Sequence, residues 1–418
     1  MAQNGKRLGI MEKEIKKYKA LFQPITIGKV EIKNRIAMAP LATHQTTPDG
    51  YVTEQVKAWF AARAKGGTGL IISSPAHAER KHLPHHGILH LSDWSHKIGM
   101  SELAETVHAF GAKMFVQITA GGGRQFNTPS PSAIPIEILP DMLPDKARKE
   151  HEKRGLPYFG ILEHTRGVIP PVLSIDEIVE LEYCVANAVL LARQCGFDGV
   201  EFHCGHGQLG HQFFSPRTNK RNDLYGGSLE NRMRYLRNML NKARGKVGRD
   251  YCIGVRISGE EHMPEGLTHE EVRKICEQME EMLDFVHLTD GCYEALKYME
   301  PDEDGTMLKY AESLKKTLRI PVITPSIHDP GTAAQAVENG KTDMVSLGRP
   351  LIADPDWANK VAAGKHPIKC IRCNIGCLHK VAESVPIRCE VNPRTGLEQY
   401  IPEYRRSEPF KKYWVVGK

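Results

Sequence analysis

Four of the ten cysteines lie close together in the C-terminal part of the sequence, with the spacing Cys370-x2-Cys373-x3-Cys377-x11-Cys389. Thiolates are soft ligands that bind zinc or iron–sulfur clusters in preference to hard cations. Three thiols from one short loop and a fourth from nearby differ from the paired CxxC motifs of a zinc ribbon. The spacing therefore favours an iron–sulfur cluster, with structural zinc or a chance grouping as the alternatives.

A second set of chemically active residues follows short apolar runs. It comprises Pro40-Leu41-Ala42, Ser73-Ser74, Gln117, His203 with His206, Arg256, Asp290, Thr324 and Gly348-Arg349. Polar and cationic groups of this kind can bind an anionic cofactor and polarise a substrate. Taken alone, two histidines three residues apart are also consistent with half of a metal site or with loop caps.

The apolar runs have the length and β-branched composition of buried parallel strands. They span residues 36–39, 69–73, 113–118, 199–203, 252–257, 285–289, 321–324 and 344–347. Helical patterns lie between them, with predicted capping boxes at Ser174–Glu177 and Thr268–Glu271 and proline-opened helices after Asp329 and Asp354. Eight alternations predict an α/β fold, a closed (β/α)8 TIM barrel. An open doubly wound sheet is the rival, but no early glycine-rich fingerprint supports it.

Composition narrows the class of protein. The 418 residues are 41% hydrophobic and 25% charged with a net charge of +6, as in an ordinary globular protein with a mild preference for anionic ligands. No apolar run reaches the roughly 18 to 20 residues of a membrane span, and the polar N-terminus lacks a signal-peptide core. We therefore expect a cytoplasmic protein that binds neither nucleic acid nor membrane.

The predicted domain organisation has three parts. Residues 1–20 form a polar arm, 21–363 the barrel, and 364–418 a C-terminal extension that carries the cysteine cluster. A long proline-rich insertion over 121–173, which includes the charged run DKARKEHEKR, interrupts the barrel. An insertion of this length after a strand is typical of a lid or a substrate-shaping loop.

Several stretches together resemble the Old Yellow Enzyme class of flavin oxidoreductases, in its iron–sulfur branch typified by bacterial 2,4-dienoyl-CoA reductase. They are LFQPITIGKVEIKNRIAMAP (21–40), FAARAKGGTGLIIS (60–73), DGVEFHCGHGQLGHQFFSPRTNKRNDLYGGSLENR (198–232), DMVSLGRPLIADP (343–355) and CIRCNIGC…CEVNP (370–393). The resemblance covers about residues 20 to 400 in the correct order. It implies an FMN-binding barrel and a [4Fe–4S] cluster on the four cysteines.

The resemblance also implies roles for particular positions. The backbone of Ala39, Pro40, Leu41 and Ala42 is expected to lie against the flavin, and Gln117 to bind its pyrimidine end. Arg256 is expected near N1 and C2=O, where a cation stabilises reduced flavin; a buried structural pair is the alternative for Gln117 and Arg256. Gly348 and Arg349 are expected at the FMN phosphate, together with Ser326, where the branch tends to have an arginine.

His203 and His206 match the pair of donors that polarise a substrate carbonyl in this class. The class normally places a proton-donating tyrosine two residues beyond the second donor, whereas this chain has Gln208, an amide that cannot act as a general acid. Tyr293 is the candidate replacement from another wall of the pocket, with a packing aromatic as the alternative. The expected reaction is reduction of a C=C bond conjugated to a carbonyl, in an enone or an enoyl thioester.

The last residues, KKYWVVGK, resemble the first strand of the FAD- and NAD(P)H-binding module that follows the cluster in this branch; a short terminal strand is the alternative. Without such a module, electrons would come from a separate flavoprotein or ferredoxin, or directly from NAD(P)H. Two other functions stay open, an amine dehydrogenase of the trimethylamine dehydrogenase type and a non-catalytic zinc-stapled barrel. Barrels of this class commonly self-associate, so a homo-oligomer is possible.

Overall fold

The computed structural model describes residues 17–81, 87–137, 139–157 and 166–401. Eight parallel strands form a closed barrel, because the first strand pairs with both the second and the last. This confirms the predicted (β/α)8 TIM barrel. The barrel strands are β3 (Ile36–Met38), β4 (Leu70–His77), β6 (Lys113–Thr119), β7 (Gly199–Cys204), β8 (Cys252–Ser258), β9 (Phe285–Thr289), β10 (Val322–Thr324) and β11 (Met344–Leu347).

The lower part of the barrel interior is apolar. Phe115 and Phe285 contact each other across it with ring centroids 5.5 Å apart. An antiparallel hairpin of β1 (Ile25–Ile27) and β2 (Val30–Ile32) contributes Ile27 and Ile32 to the same buried cluster. Branched and aromatic side chains fill the interior as in other barrels, so the chemistry is confined to the opposite, carboxyl end of the strands.

Helices alternate with the strands and cover the barrel. In chain order they are α1 (Glu54–Lys65), α2 (Lys97–His108), α3 (Asp145–Lys153), α4 (Ile175–Gln194), α5 (Leu209–Phe214), α6 (Leu229–Arg232), α7 (Arg234–Val247), α8 (His269–Met279), α9 (Leu296–Met299), α10 (Leu308–Lys315), α11 (Pro330–Glu338), α12 (Arg349–Ala353), α13 (Trp357–Ala362) and α14 (Lys380–Ala382). Within the described ranges, no helix is long and apolar enough to cross a membrane.

Three of the four predicted helix starts are confirmed. Ser174 and Thr268 each form a complete capping box at the start of α4 and α8, and the Asp329 side chain accepts a hydrogen bond from Thr332 at the start of α11. The prediction at Asp354 is wrong, because α13 begins at Trp357. One oxygen of the Asp354 carboxylate accepts from the backbone N–H of Asp356 at 3.2 Å, and the other binds Lys360 and the backbone N–H of Ile368, both at 2.7 Å.

Strand β4 is longer than expected because its second half has partners on both sides. Ala76 and His77 pair with the short strand β5 (Leu89–His90) and also with β6. The other barrel strands agree with their predicted ranges to within one residue at each end. Strand-forming pattern and burial therefore identify every strand of the barrel, although not the full extent of β4.

The insertion and the extension pack against the carboxyl end of the barrel. In the insertion, Arg124 ion-pairs with Glu294 in the loop after β9 at 2.6 Å, and Arg154 at the end of α3 binds Glu390 of the extension at 2.5 Å. The domain boundaries at 20/21 and 363/364 stay predictions. Most of the predicted polar arm and the C-terminal KKYWVVGK lie outside the described residues.

Candidate functional site

A large, partly open cavity lies at the carboxyl ends of the strands. Its wall contains all twelve residues predicted to bind FMN or to act in catalysis, namely Ala39, Pro40, Leu41, Ala42, Gln117, His203, His206, Arg256, Tyr293, Ser326, Gly348 and Arg349. These residues come from seven loops or strand ends, and barrel closure brings them to one place. Their individual roles stay predictions, and the strand-end residues Ser73, Ser74, Asp290 and Thr324 do not line the cavity. The mixed apolar and polar lining is that of a cofactor site.

A buried hydrogen-bonded chain lies at the level where the apolar barrel interior meets this cavity. Gln117 donates from Nε2 to Glu201 at 2.7 Å, and the second carboxylate oxygen of Glu201 is 2.7 Å from Nδ1 of His287. Nε2 of His287 is 2.7 Å from the hydroxyl of Ser346. The four side chains span β6, β7, β9 and β11, and all are at most 1% exposed.

Arg256 is the cation of the cavity floor. It lies beside His203 in the register of β7 and β8, and its guanidinium donates to the Pro40 carbonyl at 3.5 Å. Its Nε is buried and has no hydrogen-bond partner within the described part of the chain. Burial lowers the pKa of Arg256, and the nearby Glu201 opposes that shift. An unpaired buried donor beside a large cavity fits an oxygen-rich ligand such as the flavin pyrimidine.

His203 and His206 point their rings toward the same part of the cavity, with centroids 5.5 Å apart. His206 has a left-handed backbone (φ 58°), which is held by hydrogen bonds from its N–H to Ser258 at 3.0 Å and from Gln125 to its carbonyl at 2.6 Å. Burial, together with the Arg256 guanidinium, lowers the pKa of both histidines well below the ordinary value. Both are therefore neutral imidazoles with one N–H each, and Nε2 of His206 is hydrogen-bonded to the Thr289 hydroxyl.

Tyr293 and Gln208 meet on the wall beside these histidines. The Tyr293 ring lies 6.4 Å from the His206 ring and 6.3 Å from the Phe126 ring, between centroids. Its phenol has the Gln208 side chain as a hydrogen-bond partner, and burial raises the pKa of Tyr293 to about 12. The phenol thus keeps its proton at neutral pH, and it lies beside the position where the class usually has its tyrosine.

The opposite end of the cavity combines Gly348, Arg349, Ser326 and His328. Ser326 has a left-handed backbone with φ 63°. Arg349 donates to the Asn374 side-chain oxygen at 3.1 Å, which ties it to the cysteine loop. The buried Nδ1 atom of the half-buried His328 has no hydrogen-bond partner among the residues that the structure describes. This concentration of donors fits a phosphate group, and His328 was not identified from the sequence.

The four clustered cysteines line a second, smaller cavity. Gly376 allows the loop to approach the fourth cysteine closely, because a Cβ there would lie 2.8 Å from the Arg388 carbonyl and 2.9 Å from Cα of Cys389. Within the described ranges, no group of three or more His, Cys, Asp or Glu side chains is arranged to hold a metal ion. Cluster thiolates bind separate iron atoms and need not converge on one point, so the cysteine set fits a cluster, which stays a prediction.

The two cavities share part of their walls. Arg349, Ile352 and Cys377 line both the large cavity and the cysteine cavity. Residues from the cysteine loop and the segment after it, Leu378, Val381 and Ile387, also face the large cavity. A group bound by the cysteines would therefore be separated from a group in the barrel cavity by a single layer of side chains.

The barrel and its cavity define a class of protein, the flavin-dependent oxidoreductases that are built on a (β/α)8 barrel. Residues 20–367 match the NADH:flavin oxidoreductase / NADH oxidase family. The chain belongs to this family, which confirms the predicted Old Yellow Enzyme-like flavin oxidoreductase and supports FMN and NAD(P)H as its cofactors.

Two curated relatives match almost the whole chain. NADH oxidase of Thermoanaerobacter brockii is 36% identical over 413 residues, which cover 95% of this chain and 59% of the relative. Cinnamate reductase of Clostridium sporogenes is 33% identical over 430 residues, with 96% and 61% covered. The chain thus spans about three fifths of the length of these relatives.

Two solved structures have the same fold. A complex of 2-naphthoyl-CoA reductase with 2-naphthoyl-CoA has a TM-score of 0.81 at 27% identity, and the match covers 92% of this chain and 58% of that one. Histamine dehydrogenase from Rhizobium sp. 4-9 has a TM-score of 0.78 at 25% identity, with 94% and 55% covered. The fold is therefore shared by enzymes that are named for different chemistries.

Sequence reasoning did not identify Glu201, His287 and Ser346 as part of the site. One signal was present for Glu201, which precedes His203 by two residues and so points to the same side of β7. A charged residue at an inward position of a barrel strand is unusual enough to indicate function. The contact between Glu201 and His287, which are 86 residues apart, has no sequence signal.

Proposed function

We propose that this chain binds FMN in the barrel cavity and reduces a C=C bond conjugated to a carbonyl, in an enone or an enoyl thioester. Bound FMN, once reduced, supplies the hydride for the β-carbon of such a substrate. The observation that carries the proposal is the convergence of the twelve predicted residues on one cavity wall. Membership in the NADH:flavin oxidoreductase / NADH oxidase family supports the flavin chemistry.

His203 and His206 bind the substrate carbonyl oxygen in this proposal. Both are neutral and lie in the same part of the cavity. In this proposal the Thr289 hydroxyl donates to Nε2 of His206, which leaves the Nδ1–H of that ring for the substrate, and His203 donates its own N–H. Two donors aimed at one oxygen favour the negative charge that develops there as the β-carbon accepts a hydride. Because both rings are neutral, they add no positive charge next to Arg256.

Tyr293 donates the proton to the α-carbon. Its phenol is protonated at neutral pH, since its pKa is raised to about 12, and it lies next to the two histidines. Gln208 positions the phenol by hydrogen bonding and leaves the O–H as the acid. A water molecule is the competing donor, which the Tyr293→Phe variant described below distinguishes.

In this proposal the four cysteines would hold a [4Fe–4S] cluster, which would supply electron transfer toward the barrel cavity. The shared wall of Arg349, Ile352 and Cys377 supports this route, because it leaves one layer of side chains between the two cavities. The electron source is a reduced flavoprotein or ferredoxin, or NAD(P)H acting directly at the barrel cavity. These partners, like the cluster, belong to the proposal.

The decisive experiment is an anaerobic absorbance spectrum of the purified protein, with iron, sulfide and FMN quantified on the same sample. We expect flavin bands over a broad absorbance near 400 nm and about four irons per chain. FMN with zinc would remove the cluster from the proposal and leave an ene-reductase fed by NAD(P)H. Neither flavin nor iron would overturn the proposed function.

An amine dehydrogenase activity is the second candidate, and one observation favours it. Phe126 and Tyr293 form an aromatic corner of the cavity, and aromatic faces attract alkylammonium groups. The only carboxyl group among the described residues of the cavity wall, Glu300, already accepts a hydrogen bond from Asn374. Turnover of an enone but not of trimethylamine in parallel assays would exclude this candidate, and the reverse result would replace the proposal with it.

A further inference from the structure

The buried hydrogen-bonded chain of Gln117, Glu201, His287 and Ser346 is polar, although the packing of a barrel interior does not require polar side chains. Barrel interiors are normally filled by branched apolar side chains, and the layer beneath this chain is of that kind, with Phe115, Phe285, Ile72 and Met344. Burying a carboxylate and an imidazole costs free energy that hydrogen bonds only offset. Replacing such a group by apolar residues is often neutral for stability, so the polar chain calls for a functional explanation.

The geometry of the chain fixes the orientation of Gln117. A carboxylate only accepts hydrogen bonds, so the amide nitrogen of Gln117 must face Glu201. The amide oxygen of Gln117 is therefore available on the cavity side, where Gln117 lines the wall. By the same argument His287 donates from Nδ1 to Glu201, and its Nε2 accepts from the Ser346 hydroxyl.

Glu201 also affects the charge of the cavity floor. Arg256 and His287 are partners in the register of β8 and β9, and Glu201 acts electrostatically on both side chains. Burial lowers the pKa of His287, so the imidazole adds no positive charge at neutral pH. The negative charge of Glu201 thus partly offsets the positive charge of Arg256. This effect is strong because both groups are buried, where the dielectric constant is low.

We propose that Glu201, held by His287 and Ser346, is a positioning residue that orients Gln117 toward bound FMN and limits the positive field of Arg256 on it. This inference rests on the proposed FMN site. In this proposal the buried chain sets both the affinity of the protein for FMN and the two-electron reduction potential of bound FMN. Reduction of FMN takes up two electrons and one proton and leaves an anion, which a stronger positive field stabilises.

The test compares the midpoint potential of bound FMN in the wild-type chain and in the Glu201→Gln variant, by anaerobic titration against reference dyes. Glutamine keeps an oxygen that can accept from Gln117 but removes the negative charge. We expect the equilibrium to move at least tenfold toward reduced FMN, which is about 30 mV more positive for a two-electron couple. An unchanged potential would overturn the inference.

Glu182→Gln is the matched control. Glu182 is equally buried, with 0% exposure, but it lies on α4 and accepts from Tyr225 and Asn238 at 3.0 Å, away from the residues of the cavity wall. This variant loses the same charge and should keep the wild-type potential. A shift as large as that of Glu201→Gln would mean a general effect of lost charge and would contradict the inference.

The Glu201→Asp variant distinguishes the positioning role of Glu201 from the effect of its negative charge. It also tests the inference if Glu201→Gln does not fold. Aspartate retains the charge but is one methylene shorter, so it cannot hold Gln117 in place. We expect the Kd for FMN to rise at least tenfold while circular dichroism stays that of the wild type. A wild-type Kd would refute the positioning role. If the wild-type chain itself binds no FMN, the proposed function fails, and that result is distinct from an unchanged variant.

Discussion

The two histidines illustrate what burial does to a single residue. His203 and His206 lose their water shell at the end of β7 and lie near Arg256, so the protonated forms are unfavourable. Each imidazole then has one N–H and one lone pair, and only the N–H can stabilise a developing oxyanion. The chemistry of this pair therefore depends on hydrogen bonding and not on charge.

Replacing either histidine by alanine should lower kcat/KM for an enone by about 10² to 10³. The bound flavin spectrum should not change, since the substitution removes a substrate donor. Steady-state kinetics on His203→Ala and His206→Ala, with His108→Ala as the control, measures this effect. His108 lies on α2, where it is hydrogen-bonded to Asp198, and it does not line the cavity, so His108→Ala should keep the wild-type kcat/KM. Unchanged turnover and substrate affinity in both site variants would contradict the assigned role.

Tyr293→Phe should lower kcat by about 10² to 10⁴ with little change in KM, because the ring packing is kept and only the acidic proton is lost. In the wild-type enzyme the phenol is protonated at every pH below its pKa of about 12, so its contribution should be constant between pH 6 and pH 10. The control is Tyr298→Phe, whose ring stacks on His262 with centroids 3.7 Å apart. Wild-type turnover by Tyr293→Phe would identify water as the donor.

At the scale of elements, strand β7 shows how one segment serves two functions. Its alternating side chains place Glu201 and His203 on the same face, two residues apart, so the strand supplies both the buried carboxylate and a substrate donor. The loop that follows supplies His206 and Gln208. A shift of register by one residue would turn all inward groups outward, which is why the pairing of β7 with β6 and β8 is essential to the site.

The cysteine loop depends on one glycine for its approach to the fourth cysteine. Gly376→Ala would put a Cβ 2.8 Å from the Arg388 carbonyl and so displace Cys389. We expect iron per chain to fall by more than half while FMN per chain is retained, measured on the same sample. Gly245→Ala on α7, where a Cβ meets nothing within 4 Å, should keep its iron and gain about 1 kcal/mol of stability. Full iron content in Gly376→Ala would contradict this interpretation of the loop.

At the scale of the whole molecule, buried histidines make stability depend on pH. Burial, with the neighbouring His96 and Arg80, lowers the pKa of His90 from 6.5 to about 4. Between these values the unfolded chain binds a proton that the folded chain does not, so stability falls as the pH decreases from about 6.5 to about 4. His203, His206 and His287 shift in the same direction and add to this loss.

The free energy of unfolding should therefore decrease by about 1.4 kcal/mol per pH unit for each such histidine within its window. Urea unfolding at pH 7.5 and pH 5.5 measures the decrease. His90→Gln should lose about 1 kcal/mol less than the wild type over this interval, whereas His366→Gln, at an exposed position, should lose as much as the wild type. Equal decreases in the free energy of unfolding for all three chains would show that His90 is protonated at pH 5.5 in the folded state as well as in the unfolded state, which would contradict its lowered pKa.

The sequence by itself determined the barrel and, together with the family resemblance, the residues of the cavity wall. Short buried strands, helix caps and turn spacing are local properties, so the eight strands and three of the four marked helix starts could be predicted from neighbouring residues alone. Because a closed barrel brings all strand ends to one rim, the twelve predicted residues meet in one cavity. The cysteine spacing likewise predicted a shared site, and the four thiols line one cavity.

Only the tertiary structure decided which side chains meet across that rim. The Glu201–His287 contact, the pairing of Tyr293 with Gln208, and the wall that Arg349 and Cys377 share between two cavities join residues far apart in the chain. Such contacts depend on strand stagger, side-chain rotamers and loop paths, none of which has a local pattern. Asp354 shows the same limit, because one oxygen of its carboxylate binds the backbone N–H of Ile368, a partner 14 residues away that the local sequence does not indicate.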